Sequence, residues 1–245
     1  MPKPPTLDSA MRVRRHEPTR LEGFVDAAFA FAVTLVVISF GHMPQSVSEM
    51  LQALRGLPTF AACFALIARI WLSHRNWSRH YDIDDTTTTV LSLILVFFVL
   101  VYVYPLRLLF ALMFASVSNG WLVDQPVDLH SYFELRAAFV VFGLGYAAIW
   151  IVLALLYRHA LKLRTTIGLD DAEVLATRLR LALTCWFCAI AFLSIALALF
   201  LPFEDRPWTT SMPGAIYLLI IPIARLLKRG YGRRFAELAP GAVAS

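Results

Sequence analysis

An all-α membrane protein with six transmembrane helices is the fold this sequence predicts, and three observations predict it. Hydrophobic residues make up 59% of the 245-residue chain and charged residues only 16%, well below the roughly 25% charged of a soluble globular domain. Several apolar runs reach about 20 residues, the length a helix needs to cross the hydrocarbon core of a bilayer. Basic residues gather in short segments between alternate runs, as they do in polytopic membrane proteins.

Taken in order, residues 1–19 read as a polar flank, with Pro2, Pro4 and Pro5 first and Arg12, Arg14 and Arg15 after them. The apolar run that follows is too long for a signal-peptide core, and no small-x-small cleavage site closes it. It reads as a retained first span, about Leu21 to Phe40, ending at Gly41-His42-Met43-Pro44. The second span covers about Leu57 to Ser73 and gives way to a polar segment, His74 to Asp85. The third, about Thr88 to Phe114, holds Pro105 as an expected kink and Arg107 near its outer end, where a long side chain snorkels to water. The fourth, about Phe133 to Tyr157, carries Gly143 and Ala147 as a small-xxx-small pair for close helix packing. Asp170 and Glu173 make a capping-box start for a helix whose membrane part covers about Leu181 to Leu201. The sixth, about Pro213 to Leu227, contains Pro222 and leads into Lys228, Arg229, Arg233 and Arg234. The domain division that follows is a basic flank over 1–19, a six-helix unit over 20–230 and a tail over 231–245.

Charge orients these spans. Arg75 and Arg79 follow span two, and Arg158, Lys162, Arg164, Arg178 and Arg180 follow span four, whereas 41–50 and 117–132 hold no Lys or Arg and 202–212 holds only Arg206. The positive-inside rule then places both termini in the cytoplasm of a multi-pass cell-membrane protein. The net charge of +5 belongs to this topology rather than to a nucleic-acid footprint.

Several chemistries are excluded by motif. There is no HExxH, GxSxG, P-loop or glycine-rich phosphate turn, no ladder of arginines at every third position for voltage sensing, and no TVGYG carbonyl filter. Cys63, Cys185 and Cys188 all lie in apolar runs, so Cys185-x-x-Cys188 reads as packing rather than redox chemistry. His74, His80, Asp82, Asp84 and Asp85 crowd one segment and read as a solvated loop rather than a metal site. No enzyme activity, metal or cofactor is implied.

The first span carries the functional signal. Asp26 sits a little over one turn inside its polar edge, where a charge costs about 2.5–3.5 kcal/mol on insertion scales. At about 100° per residue, Phe24, Ala28, Phe31, Leu35 and Ile38 share one apolar stripe, and Asp26 lies roughly 140° round from Phe31. Trp71 and His74 end the second span at a similar depth, so a hydrogen-bonded cluster with Asp26 and Arg20 is geometrically reasonable. The bland alternative is an interfacial Trp71 and a solvated His74, with the stripe a packing seam.

Arg20-x-x-x-Phe24-x-Asp26, continuing into Ala30-Phe31-Ala32-Val33-Thr34-Leu35, resembles the first-helix signature of the transmembrane protein 175 family, the endosomal and lysosomal potassium channels of animals and their prokaryotic relatives. Trp71-x-x-His74 resembles the Trp-x-x-His that ends that family's second helix. The chain departs from the pattern at Val25, where the family has serine, at Arg75, where a second histidine is common, and at Phe31, where an aliphatic residue is usual. The resemblance implies a homotetramer in which the first helices line a central pore for potassium ions, Phe31, Leu35 and Ile38 form a hydrophobic constriction, and Arg20, Asp26, Trp71 and His74 form a structural polar network. Two other classes stand beside the channel: a proton-coupled transporter using Asp26 and His74 as a relay, and a scaffold whose stripe packs helices without a pore.

Overall fold

Every regular element of the computed structural model, which describes residues 11–39, 44–125, 129–204 and 206–238, is helical. The long helices are α1 (Arg20–Ile38), α3 (Leu57–Tyr81), α4 (Thr86–Ser118), α5 (Tyr132–Lys162) and α6 (Asp171–Phe200), with a short α2 (Val47–Arg55) between the first two. The last span is broken: a 3₁₀ turn (Pro207–Ser211), a one-turn α7 (Met212–Ala215), a second 3₁₀ turn (Ile216–Leu219) and α8 (Ile220–Leu238) follow one another. Six stretches among the described residues are long and apolar enough to cross a membrane.

The helix starts are written in side chains. Thr19 accepts from the Glu22 amide at 3.2 Å while Glu22 takes the Thr19 amide at 2.9 Å, a full capping box on α1. Asp170 and Glu173 repeat the arrangement on α6. Asp85 caps α4 by accepting from the Thr88 amide at 2.7 Å. Asp82 and Asn119 close α3 and α4 in the left-handed conformation, each at φ 51°, which short polar side chains tolerate.

Element ends differ from the sequence-based expectation. The helix of span two does not stop at Ser73 but runs through His74 to Tyr81, because Trp77 and Tyr81 bury against the bundle; only 82–85 is left as a loop. His74 is therefore a buried helix residue, not a solvated loop residue. The expected boundary at residue 230 falls inside α8, whose basic residues are compatible with continued helix. Arg107 donates to the buried Asp124, in the loop after α4, at 2.9 Å. The expected end of span one over 40–43 and the first ten residues lie outside the described residues.

Helix α5 is the hub, packing on α3, α4 and α6. Its Gly143 lets α6 approach so closely that an added Cβ would lie 2.6 Å from Ile195 Cγ1, and the Ala147 carbonyl meets Cys188 Sγ at 3.9 Å. The small pair thus serves the packing expected of it. An aromatic column of Tyr102, Phe142, Tyr146, Trp150 and Phe187 fills the centre.

Candidate functional site

Helix α1 lies on α3 and α4 through Val25, Phe29, Ala32 and Val36, all buried at the 4-3-4 spacing of one helix face. That contact fixes which residues look outward. Phe24 (54% exposed), Phe31 (53%) and Ile38 (61%) form an apolar row repeating every seven residues on the open side. Leu35 sits at the edge of the row, half-buried against the core. Among the described residues, nothing within the protomer covers this row.

Asp26 emerges on the other flank of the same open side and accepts from Trp71 Nε1 at 2.7 Å. The guanidinium of Arg75 lies over that indole, 5.2 Å from the ring centroid. Arg75 therefore braces the tryptophan that holds the acid. His74 goes elsewhere: its Nε2 meets Ser92 Oγ on α4 at 3.0 Å, with both side chains buried. Arg20 is exposed and has no hydrogen bond or ion pair among the described residues. Of the four expected network residues, the protomer joins Asp26 to Trp71, sends His74 to α4 and leaves Arg20 open.

The segment before α1 is a strap. The Arg14 and Arg15 amides both donate to the Arg79 carbonyl, at 2.9 and 3.1 Å. Arg14 forks onto Glu173 of α6, Nη1 to Oε1 at 2.8 Å and Nη2 to Oε2 at 2.7 Å, and Glu173 is fully buried. This bidentate hydrogen bond raises the Arg14 pKa above its ordinary value. Arg15 reaches Asp82 at 2.5 Å, on the loop after α3. The start of α1 is thereby tied to α3 and α6 at one end of the bundle.

Sequence reasoning names neither Glu173 as the partner of Arg14 nor Ser92 as the partner of His74. These pairs are 159 and 18 residues apart, and no local pattern reports them. Arg69 is a further residue it does not single out, although a charge inside an apolar run is the same signal that marks Asp26. Among the described residues no three His, Cys, Asp or Glu side chains gather as a metal site, and the three cysteines are free.

Comparison with known proteins adds the context. Residues 20–105, which hold α1, α3 and the strip where they meet α4, match the family model described as "Endosomal/lysosomal potassium channel TMEM175". A protein of Marivirga tractuosa named potassium channel is 34% identical over 222 residues, covering 89% of each chain. The crystal structure of a single-residue variant of the potassium channel MtTMEM175, in complex with a nanobody–MBP fusion protein, superposes with a TM-score of 0.75 at 30% identity, covering 93% of this chain and 97% of that one. A lysosomal potassium-selective channel TMEM175 homolog from Chamaesiphon minutus shares the fold at 23% identity and a TM-score of 0.50, over 85% of this chain and 96% of that one.

Proposed function

The chain belongs to the TMEM175 family, whose members are ion channels and not enzymes, and from that premise we propose that it forms a homotetrameric, potassium-permeable channel of the cell membrane. In this reading α1 lines the central pore, Phe31, Leu35 and Ile38 make the constriction, and both termini lie in the cytoplasm. Residues 20–230 hold the channel, with 1–19 as its flank and 231–245 as its tail. Arg20, Asp26, Trp71 and His74 hold α1 in place, Asp26 through Trp71 directly and His74 by fixing α3 to α4. Arg20 is open to meet a neighbouring protomer.

One observation carries the reading: a row of large apolar side chains stands uncovered on the helix that bears the family signature, opposite a buried face. Around an axis, four copies of the Phe31-to-Ile38 part of this row make stacked apolar rings over about 10 Å, at 1.5 Å rise per residue. Rings of this kind gate ions by dewetting, and conduction requires their widening or partial hydration. The transporter reading asks Asp26 and His74 to exchange protons, yet they bond to different partners on different helices.

Polar replacement tests the constriction. Leu35→Asn or Ile38→Asn favours hydration, so potassium flux into reconstituted vesicles rises and potassium-over-sodium preference falls. A packing seam gives the opposite result, because an amide buried without a partner destabilises the contact. Flux that never rises, together with loss of the tetramer on size analysis, sinks the pore assignment.

A further inference from the structure

We propose that the outward face of α4 around Tyr104 is where this chain meets the neighbouring copy in the membrane, and that the Tyr104 hydroxyl hydrogen-bonds across that contact. Phe97, Val101, Tyr104 and Leu108 form one outward row on α4, and Tyr104 is 66% exposed. Among the described residues of the protomer, no group bonds to its hydroxyl. The next residue, Pro105, has no amide to give the carbonyl of Val101 one turn before it. Two polar groups therefore lie uncovered on a single strip of helix.

Depth makes this row unsuited to lipid. The apolar stretch 88–114 has its midpoint at residue 101, so Tyr104 lies about 5 Å from the middle at 1.5 Å rise per residue. A long helical side chain leans toward the N-terminus, which carries the hydroxyl toward the middle of the span rather than out to water. Hydrocarbon offers no partner to a hydroxyl or a spare carbonyl, and leaving either unpaired there is costly. The outward row of α5 is the contrast: Val141, Leu144, Ile151 and Leu155 are 40–53% exposed and carry only hydrocarbon. Leu144 stands at a similar depth to Tyr104, because its neighbour Gly145 abuts the Tyr102 ring. Lipid satisfies the α5 row, whereas polar groups on a transmembrane face are matched by another helix.

The place of α4 in the bundle selects the partner. Helix α1 packs on α3 and α4, while α5 packs behind them and carries α6. With the open side of α1 turned to a central axis, α3 and α4 flank it and their outward faces meet the protomers on either side; this step rests on the tetramer proposed above. Rotation about a single axis makes such a contact heterologous, so α4 of one copy meets a different surface of the next. Tyr104 therefore needs no second Tyr104 as its partner.

Photo-crosslinking of the full-length protein in detergent tests the contact. The probe is p-benzoylphenylalanine, which keeps the aromatic ring, in place of Tyr104 or of Leu144, with the products separated on a denaturing gel. The expected result is covalent dimers and larger species from position 104, and monomer alone from position 144. Dissociation of the tetramer on dilution tests the hydroxyl. Tyr104→Phe should raise the dissociation constant about three-fold for each interhelical hydrogen bond lost, and Leu144→Val should leave it unchanged. Monomer alone from position 104, while light scattering finds a tetramer, overturns this proposal and leaves the tetramer standing. A monomeric parent protein overturns both. Equal cross-linking from positions 104 and 144 also sinks the assignment, as does a Tyr104→Phe tetramer that dissociates as the parent does.

Discussion

Helices α1 and α5 are built from similar residues and used in opposite ways. Both are mainly apolar, yet 56% of the spanning window of α5 is buried inside the protomer against 22% of that of α1. Helix α5 has Gly143 and Ala147 for close approach and aromatic residues to fill what surrounds it. Helix α1 offers one face to the protomer and keeps Phe24, Phe31 and Ile38 outside. Apolarity alone does not separate a core helix from a working one in a membrane, since hydrocarbon rewards both. The distinguishing mark is a large side-chain row with no partner in its own chain. That contrast can be broken by substitutions in each helix.

The largest difference is expected in the core. Leu153 of α5 is fully buried, and Leu153→Ala should destabilise the protomer by about 2–5 kcal/mol, through lost contacts and the cavity left behind. Phe31→Ala on α1 should leave protomer unfolding within about 0.5 kcal/mol, as for other uncovered positions, while changing potassium flux. Denaturation in detergent and vesicle flux, measured on both variants, decide it. A Phe31→Ala protein as unstable as Leu153→Ala would mean that α1 is a core helix and the contrast is false.

The strap at the start of α1 sharpens the comparison further. Because α1 buries only one face, its position depends on what holds its ends. Glu173→Gln removes the carboxylate on which Arg14 forks, and taking one partner from a buried ion pair costs about 3 kcal/mol. The expected outcome is a segment over 11–19 that becomes accessible to trypsin at Arg14 and Arg15, with α1 less well fixed and flux altered. Unchanged cleavage there would show that the backbone bonds to Arg79 suffice and that the ion pair is incidental.

How much of this is legible in sequence follows the range of each signal. The spans, the capping box of α6 and the contact through Gly143 and Ala147 are set by residues within a few positions of each other, and local patterns report them; the Thr19-x-x-Glu22 box of α1 is equally local but is not singled out. The continuation of α3 to Tyr81 is hidden because His74, Arg75, Arg79 and His80 are polar, although Trp77 and Tyr81 between them carry the buried face. Short α2 is only nine residues long and is not read as an element, and the sixth span is read as one helix although 3₁₀ turns interrupt it. In the candidate site, Asp26 and the apolar row come from composition and phase. The partners of Arg14 and His74 come from packing between distant segments, which a single sequence does not encode in any local pattern.

The smallest expected effect concerns the far end of α5. His159, in its last turn, approaches Asp85 at 2.6 Å, and Asp85 caps α4. Burial alone would raise the Asp85 carboxyl, but the Thr88 amide and His159 outweigh it and hold the pKa below the ordinary value. A carboxyl lowered in the folded state stabilises in full above its unfolded value of about 3.9. That contribution is lost as pH falls through the lower folded value. Because the carboxyl is partly open to water, the effect is held to about 0.5 kcal/mol. Asp85→Asn keeps a capping acceptor of similar quality and removes only the charge, whereas Asp85→Ala removes the cap as well and costs about 1 kcal/mol. Denaturation at pH 7 and at pH 3.5 should therefore show the parent losing slightly more stability on acidification than Asp85→Asn does, with the two converging at the lower pH. If the Asn variant loses as much as the parent, the acid sensitivity belongs to another carboxylate and the tie between α5 and α4 does not depend on charge.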